Sequence, residues 1–129
     1  MTKKQVRPTE LELTILRALW DAGPSSVREI TRILNQTRPT GYTTVLKMFQ
    51  IMHEKGLVER DESRRPQIYR ARCSQEQTQR QLLRDLVERA FGGSTRALVM
   101  QALATKRSTP EDLKAIDELL DRIDKGGSK

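Results

Sequence analysis

One stretch, residues 38–58, constrains the fold of this chain more than any other, because it describes a helix with two different faces. At about 100° per residue, Val45, Phe49 and Met52 fall on one side of that helix. The opposite side carries polar groups, which are Thr43, Lys47, Gln50 and Glu54, with Thr44 on the flank. The pattern predicts a helix that packs one face on a core and presents short polar side chains from its first two turns.

Helix-ending residues flank this stretch and two further helices precede it. Thr40 is its predicted N-cap, and Gly56 is its predicted C′ residue. Upstream, the capping box Thr9-x-x-Glu12 opens a first helix that Gly23 and Pro24 end. A second helix follows, with Ser25 or Ser26 as its cap and Glu29 at N3. Helix, turn and two-faced helix in this order indicate a helix-turn-helix unit.

The hydrophobic period changes after Gly56. Residues 57–61 and 67–72 alternate as strands do, and residues 62–66 are long enough for a hairpin loop. Arg64 and Arg65 lie at the predicted tip, where they would reach a phosphate or the minor groove of DNA. The other interpretation is that the arginine pair only keeps a loop soluble. After a helix-turn-helix, the hairpin is a predicted wing, and we favour the DNA role.

The remaining chain has a purely helical pattern. Helices are predicted over residues 74–91 and 94–105, and a third begins at Thr109-Pro110. Their aliphatic surface exceeds what so short a segment buries alone, which favours a homodimer over an intramolecular bundle that folds back on the first helix. The predicted dimerisation residues are Leu83, Leu86, Val87, Leu98, Leu103, Leu113, Ile116, Leu120 and Ile123.

These elements define a mainly α fold, a winged helix-turn-helix domain followed by a helical dimerisation domain. The predicted boundaries are a flexible arm over 1–8, the winged-helix domain over 9–73, three dimerisation helices over 74–125 and a tail over 126–129.

The two halves of the chain differ in net charge. Residues 1–73 hold 4 Lys and 10 Arg against 8 acidic residues, a net of +6, whereas residues 74–129 have a net of +1. The excess indicates nucleic-acid binding or, alternatively, surface charge for solubility.

The sequence offers no chemistry for an enzyme. Cys73 is the single cysteine, which excludes an internal disulfide and a cysteine-based zinc site. His53, the one histidine, is predicted to be a surface residue of the two-faced helix rather than a ligand or base. We therefore expect no catalytic residues, no metal and no cofactor. No apolar run has transmembrane length and no signal peptide is recognised, so we expect a cytoplasmic protein that does not contact a membrane.

Several short runs together resemble one bacterial family. They are residues 10–24, Ser26 to Ile30, Arg38 to Leu46, Glu54 to Arg60, Arg65 to Ala71 and Phe91 to Gly93. The ordered set is similar to the BlaI/MecI/CopY family of repressors, of the penicillinase-repressor type, over residues 9–125. The resemblance implies a homodimer that binds an inverted-repeat operator in double-stranded DNA and blocks transcription, often of β-lactamase or other antibiotic-response genes.

The resemblance also implies which residues read the operator. Carried over by position, the base-reading residues are Tyr42, Thr43, Thr44 and Lys47. The resemblance also places Arg65 on the operator through the wing. The other predicted backbone contacts are Arg28, Arg38, Thr40 and Arg64. Ile51 projects on the polar side of the same helix, as an exposed aliphatic side chain or a contact to a thymine methyl group. The competing hypothesis is a winged-helix module that binds another protein and no operator.

Three departures from the family pattern concern the wing and the release signal. Arg64 stands where the family's wing turn usually has glycine. Met100-Gln101 stands where the β-lactamase repressors are cleaved at an Asn-Phe bond, and no C-terminal cysteine cluster of the copper-sensing branch is present. A sensor or protease partner is thus an expectation of the family alone, and proteolysis, a ligand and a partner protein all stay open as the release signal.

Overall fold

A computed structural model describes residues 7–105 and 109–127, without the side chains of Leu120 and of residues 123–127. The helices are α1 (Glu10–Ala22), α2 (Val27–Leu34), α3 (Tyr42–Lys55), α4 (Gln75–Ala90), α5 (Thr95–Thr105) and α6 (Pro110–Gly127). Two strands, β1 (Val58–Asp61) and β2 (Ile68–Ala71), form an antiparallel hairpin between α3 and α4. The predicted mainly α, winged-helix architecture is confirmed.

Reciprocal side-chain caps begin the first two helices as predicted. Thr9 Oγ1 accepts from Glu12 N at 3.2 Å, and Glu12 Oε1 accepts from Thr9 N at 2.8 Å. In α2 the capping residue is Ser26, which exchanges the same two bonds with Glu29. Each pair satisfies amide groups that the first turn of a helix leaves without partners.

The predicted N-cap of α3 is wrong. The helix is capped by Gly41, which contributes no side-chain hydrogen bond, and the first helical bond runs from Val45 N to Gly41 O at 3.1 Å. The Thr40 hydroxyl instead donates to Arg38 O at 3.2 Å. Thr40 lies one position too early for its hydroxyl to meet the amides of the first turn.

The C-terminal end of α3 follows the prediction. Gly56 has φ +82°, the left-handed conformation that a residue without Cβ adopts at low cost. Gly56 N donates to His53 O at 3.1 Å, and Leu57 N donates to Met52 O at 2.9 Å. These two bonds form a Schellman motif, which ends the helix and turns the chain into β1.

The core of the winged-helix region draws on α1, α2, α3 and both strands. Its members are Ile15, Leu16, Ala18, Leu19, Val27, Ile30, Leu34, Val45, Phe49, Met52, Val58 and Tyr69. Phe49 and Tyr69 pack with ring centroids 4.5 Å apart. Ser25 and Tyr69 exchange backbone hydrogen bonds of 2.9 and 2.8 Å, which attach the α1–α2 turn to the free edge of β2. The wing is thereby fixed to the helical core from two sides.

The described chain falls into two compact units that divide between Leu83 and Arg84, inside α4. The three C-terminal helices agree with their predicted ranges to within about two residues at most ends. α6 continues to Gly127, so the predicted start of the tail at Gly126 is wrong. Most of the predicted arm over 1–8 and residues 128–129 lie outside the described residues. The domain boundary at residue 73 stays a prediction.

Candidate nucleic-acid interface

The outward face of α3 carries all four predicted base-reading side chains. Tyr42, Thr43, Thr44 and Lys47 are exposed, and Tyr42 retains 47% of its accessible surface. The opposite face is buried through Val45, Phe49 and Met52, as predicted. Because these three side chains anchor the helix, the polar strip has a fixed orientation relative to the core. The predicted base contacts of the strip stay predictions.

Arg28 connects the start of α2 to the start of α3. Its guanidinium lies over the ring of Tyr42, 5.8 Å from the centroid, at a distance typical of a cation–π contact. Both side chains remain exposed. The positive charge therefore lies beside the first turn of the predicted reading helix, and the predicted backbone contact of Arg28 stays a prediction.

The α2–α3 turn is held by a residue that sequence reasoning missed. The Asn35 amide group bonds to both the backbone N–H and the carbonyl of Thr40. Arg38 in the same turn is exposed, and Thr40 is half-buried. The one signal in the sequence is an asparagine directly after a predicted helix, which is common in turns and did not single out Thr40 as its partner.

The far end of α3 is anchored by an ion pair that sequence reasoning also missed. Lys55 Nζ lies 2.8 Å from Glu12 Oε2 and 3.0 Å from Oε1. Glu12 is 1% exposed, although its sequence pattern indicated only a capping role. Burial acts to raise the pKa of Glu12, but hydrogen bonds from Lys55 and Thr9 outweigh burial and lower the pKa below its ordinary value. The buried carboxylate is therefore ionised at neutral pH and holds α3 against α1.

Acidic residues neutralise part of the wing. Arg60 Nη2 lies 2.6 Å from Glu62 Oε2, and Arg70 Nη2 lies 2.7 Å from Glu59 Oε1 across the paired strands. All four side chains are partly exposed to solvent. Such pairs contribute little stability, but they reduce the positive charge that these two arginines present to a phosphate.

The two arginines at the wing tip differ in their surroundings. Arg65 Nη1 donates to Glu62 O at 3.0 Å and to Arg64 O at 3.3 Å, so its guanidinium braces the loop. The Arg64 side chain makes no hydrogen bond or ion pair with the part of the chain that the structure describes. Asp61 accepts from the hydroxyl and the amide of Ser63, and these bonds lower the pKa of Asp61. The tip is thus ordered by its own polar groups and presents Arg64 to solvent.

Two remaining residues of α3 are intermediate in solvent exposure. Ile51 is half-buried, so the interpretation of it as an exposed aliphatic side chain is wrong. His53 is half-buried near the end of the helix.

Among the described residues, no group of three or more His, Cys, Asp or Glu side chains is arranged to hold a metal ion. Within the same residues, no helix is both long and apolar enough to cross a membrane.

The predicted dimerisation side chains differ in exposure. Leu83, Leu86 and Leu113 are each nearly half exposed, whereas Val87 is buried. Leu98, Leu103 and Ile116 are half-buried, and the side chains of Leu120 and Ile123 lie outside the described residues. Large aliphatic groups therefore remain accessible on the C-terminal helices.

A helix-turn-helix with a polar, exposed third helix and a basic hairpin defines a winged-helix DNA-binding protein of the kind that regulates transcription. The model of one family, described as penicillinase repressor, matches residues 8–122. The chain therefore belongs to the penicillinase repressor family, the BlaI/MecI/CopY repressors, as its sequence predicts. This is a family of DNA-binding transcriptional repressors and not of enzymes. No curated protein matches the chain.

Proposed function

We propose that this chain represses transcription as a homodimer that reads an inverted-repeat operator through the first two turns of α3. The observation that carries the proposal is the division of that helix. Val45, Phe49 and Met52 are buried, while the side chains at 42, 43, 44 and 47 are exposed on the other side. A helix held in this way fits the major groove, whose base edges distinguish all four base pairs.

Each exposed group has a defined base-reading chemistry. The methyl groups of Thr43 and Thr44 would contact thymine methyl groups, and their hydroxyls would accept or donate a hydrogen bond. The ammonium group of Lys47 would donate to the O6 and N7 acceptors of guanine. Tyr42, beside Arg28, would contact the backbone or a base at the edge of the same half-site.

Backbone contacts would supply most of the affinity. Arg28, Arg38 and Thr40 flank the start of α3, while Arg64 and Arg65 lie on the wing. Neutralised phosphates release condensed counterions, so affinity should fall steeply with salt. The winged-helix half, with its net charge of +6, is suited to this role.

Replacement of Lys47 by alanine should remove one base-specific contact in each half-site. We expect a loss of about 1–3 kcal/mol of discrimination at one base pair, because the adjacent O6 and N7 acceptors of guanine at that position lose the ammonium donor. Titration of duplexes that differ at single positions measures this loss. Lys114→Ala on α6 is the matched control, because it removes the same charge from a helix that is not part of the predicted helix-turn-helix unit. If Lys47→Ala keeps both the affinity and the base preference of the unaltered protein, α3 does not read DNA through this residue.

Replacement of Arg65 by alanine should weaken binding to every duplex by a similar factor. The log–log dependence of affinity on salt should become shallower by roughly 0.9 for each phosphate that the protein no longer neutralises. Arg64→Ala is the paired variant, because the Arg64 side chain has no hydrogen bond or ion pair within the described chain. A defect confined to some sequences would instead place the wing on a base edge.

The exposed aliphatic side chains of the C-terminal helices support the homodimer. Leu86 and Leu113 are each 48% exposed, and a second copy of the chain would cover them. A two-fold dimer presents two α3 helices to DNA, which corresponds to two inverted half-sites about one helical turn apart.

A protein-interaction module without an operator is the alternative. Titration of random duplex DNA at low and at physiological salt separates the two functions, because only a DNA-binding surface gives salt-sensitive affinity. The basic winged-helix half favours the DNA function.

We extend the proposal to the genes under control, which by family would be β-lactamase or other antibiotic-response genes. A sensor or protease would release the repressor, but the family's Asn-Phe bond is replaced by Met100-Gln101 on α5. Sequencing the genomic fragments that copurify with the protein identifies the adjoining genes. Fragments without any shared neighbouring gene would contradict dedicated control of one resistance system.

A further inference from the structure

We infer that Asn35 is a positioning residue that sets the first turn of α3 for base reading. Its side chain makes three hydrogen bonds across the α2–α3 turn. Asn35 Nδ2 donates to Thr31 O at 2.7 Å and to Thr40 O at 2.8 Å, and Asn35 Oδ1 accepts from Thr40 N at 3.0 Å. The inference rests on the proposed function of α3.

The bonds join the end of one helix to the start of the next. Thr31 belongs to the last turn of α2, and its carbonyl also accepts from Asn35 N at 3.0 Å. Thr40 directly precedes Gly41, which is the N-cap of α3. The Asn35 side-chain amide bonds to both the N–H and the carbonyl of Thr40, as a neighbouring strand would. The third bond, to Thr31 O, attaches the Asn35 side chain to α2. We call this set of three bonds the Asn35 clamp.

Among the described residues, the other side-chain contact on the first turn of α3 is the exposed one between Arg28 and the Tyr42 ring, and no other side chain hydrogen-bonds to the backbone there. Gly41 makes no capping bond, and the Thr40 hydroxyl is bonded to Arg38 O. The buried residues Val45, Phe49 and Met52 fix the helix through the core from the end of its first turn onward. The side chains at 42, 43 and 44 lie ahead of these anchors, so the Asn35 clamp determines how well the first base-reading groups are ordered before DNA arrives.

An ordered reading turn should affect specific binding more than non-specific binding. Random duplex DNA is bound through phosphates, and Asn35 is uncharged, so its loss leaves the countercharge unchanged. A loosened first turn occupies its reading geometry for a smaller fraction of the time, and affinity for a specific site falls by that fraction. The signature is thus a lower ratio of specific to random affinity at constant fold stability.

The experiment compares the full chain with Asn35→Ala and Asn35→Leu, the second of which nearly keeps the size of the side chain. Gln36→Ala is the control, because Gln36 is an exposed neighbour whose side chain makes no bond with the described residues. The probes are a random duplex and a duplex enriched from a randomised pool by the unaltered protein. We expect both Asn35 variants to bind the enriched duplex about tenfold more weakly, with random-duplex affinity and thermal midpoint close to those of Gln36→Ala.

Amide hydrogen exchange without DNA separates a positioning role from a direct DNA contact. Exchange at Thr40 and in the first turn of α3 should accelerate in both Asn35 variants and stay unchanged in Gln36→Ala. Unchanged exchange, or equal loss for random and enriched duplexes, would overturn the positioning role. If the unaltered protein enriches no sequence at all, the proposed operator function fails and the positioning role fails with it. Intact enrichment by an Asn35 variant would reject only the positioning role.

Discussion

Replacement of Phe49 by alanine should lower the free energy of unfolding of the winged-helix region by about 3–5 kcal/mol. The ring is 0% exposed, and it packs against Tyr69 from the wing at 4.5 Å between centroids. Alanine leaves a cavity where α3 meets the hairpin, and it also removes the aromatic pair with Tyr69. The loss is a large part of the stability of a typical small domain.

Urea unfolding followed by the fluorescence of Trp20 measures this effect. Trp20 is the single tryptophan of the chain, it packs against the core, and its indole N–H donates to Cys73 O at 3.0 Å. The signal therefore reports on the winged-helix region. Gln50→Ala is the matched control on the exposed face of the same helix and should change stability by less than about 0.5 kcal/mol. A Phe49→Ala loss no larger than that of the control would show that this core does not hold α3.

Replacement of Lys55 by alanine should cost about 2–3 kcal/mol at neutral pH, because it leaves the buried Glu12 carboxylate without its cation. The value lies below that of a fully buried pair, since the Lys55 side chain is 33% exposed. Arg70→Ala is the control. It breaks the exposed pair with Glu59 and should cost no more than about 1 kcal/mol.

Acid should reduce the difference between the Lys55→Ala variant and the unaltered protein. The folded-state pKa of Glu12 is lowered, so its contribution is complete above the unfolded pKa and is lost as pH falls through the folded pKa. In the variant, burial without a cation raises the pKa, and protonation removes the unpaired charge. Urea unfolding at a series of pH values checks this. A difference that stays constant or grows towards acid pH would contradict the role of the ion pair.

Local sequence patterns predicted the elements of this fold well. The spacing of Val45, Phe49 and Met52 identified the buried face of α3, because helical periodicity depends only on neighbouring positions. The caps at Thr9 and Ser26 were likewise recognisable, since each needs one partner three residues away. The hairpin followed from a change of period and a polar loop.

Contacts between distant positions were not predictable in the same way. The Glu12–Lys55 pair joins residues 43 positions apart, and a helix pattern fixes neither partner. The pairing of Ser25 with Tyr69 depends on how the hairpin docks, which no local pattern encodes. The error at Thr40 has a local cause. The actual N-cap, Gly41, has an extended backbone and no side chain, so the capping preference of threonine pointed to the residue before it.

The assignment of the base-reading strip is the central claim. It concerns Thr43, Thr44 and Lys47, which the fold presents on the outside of α3. Enrichment of a randomised duplex pool by the full chain, followed by titration of the enriched duplex at several salt concentrations, tests the claim most directly. We predict two inverted half-sites, with a steep loss of affinity in salt and a base preference that changes in Lys47→Ala. An enriched pool without a shared sequence, or a preference that Lys47→Ala leaves intact, would contradict the claim.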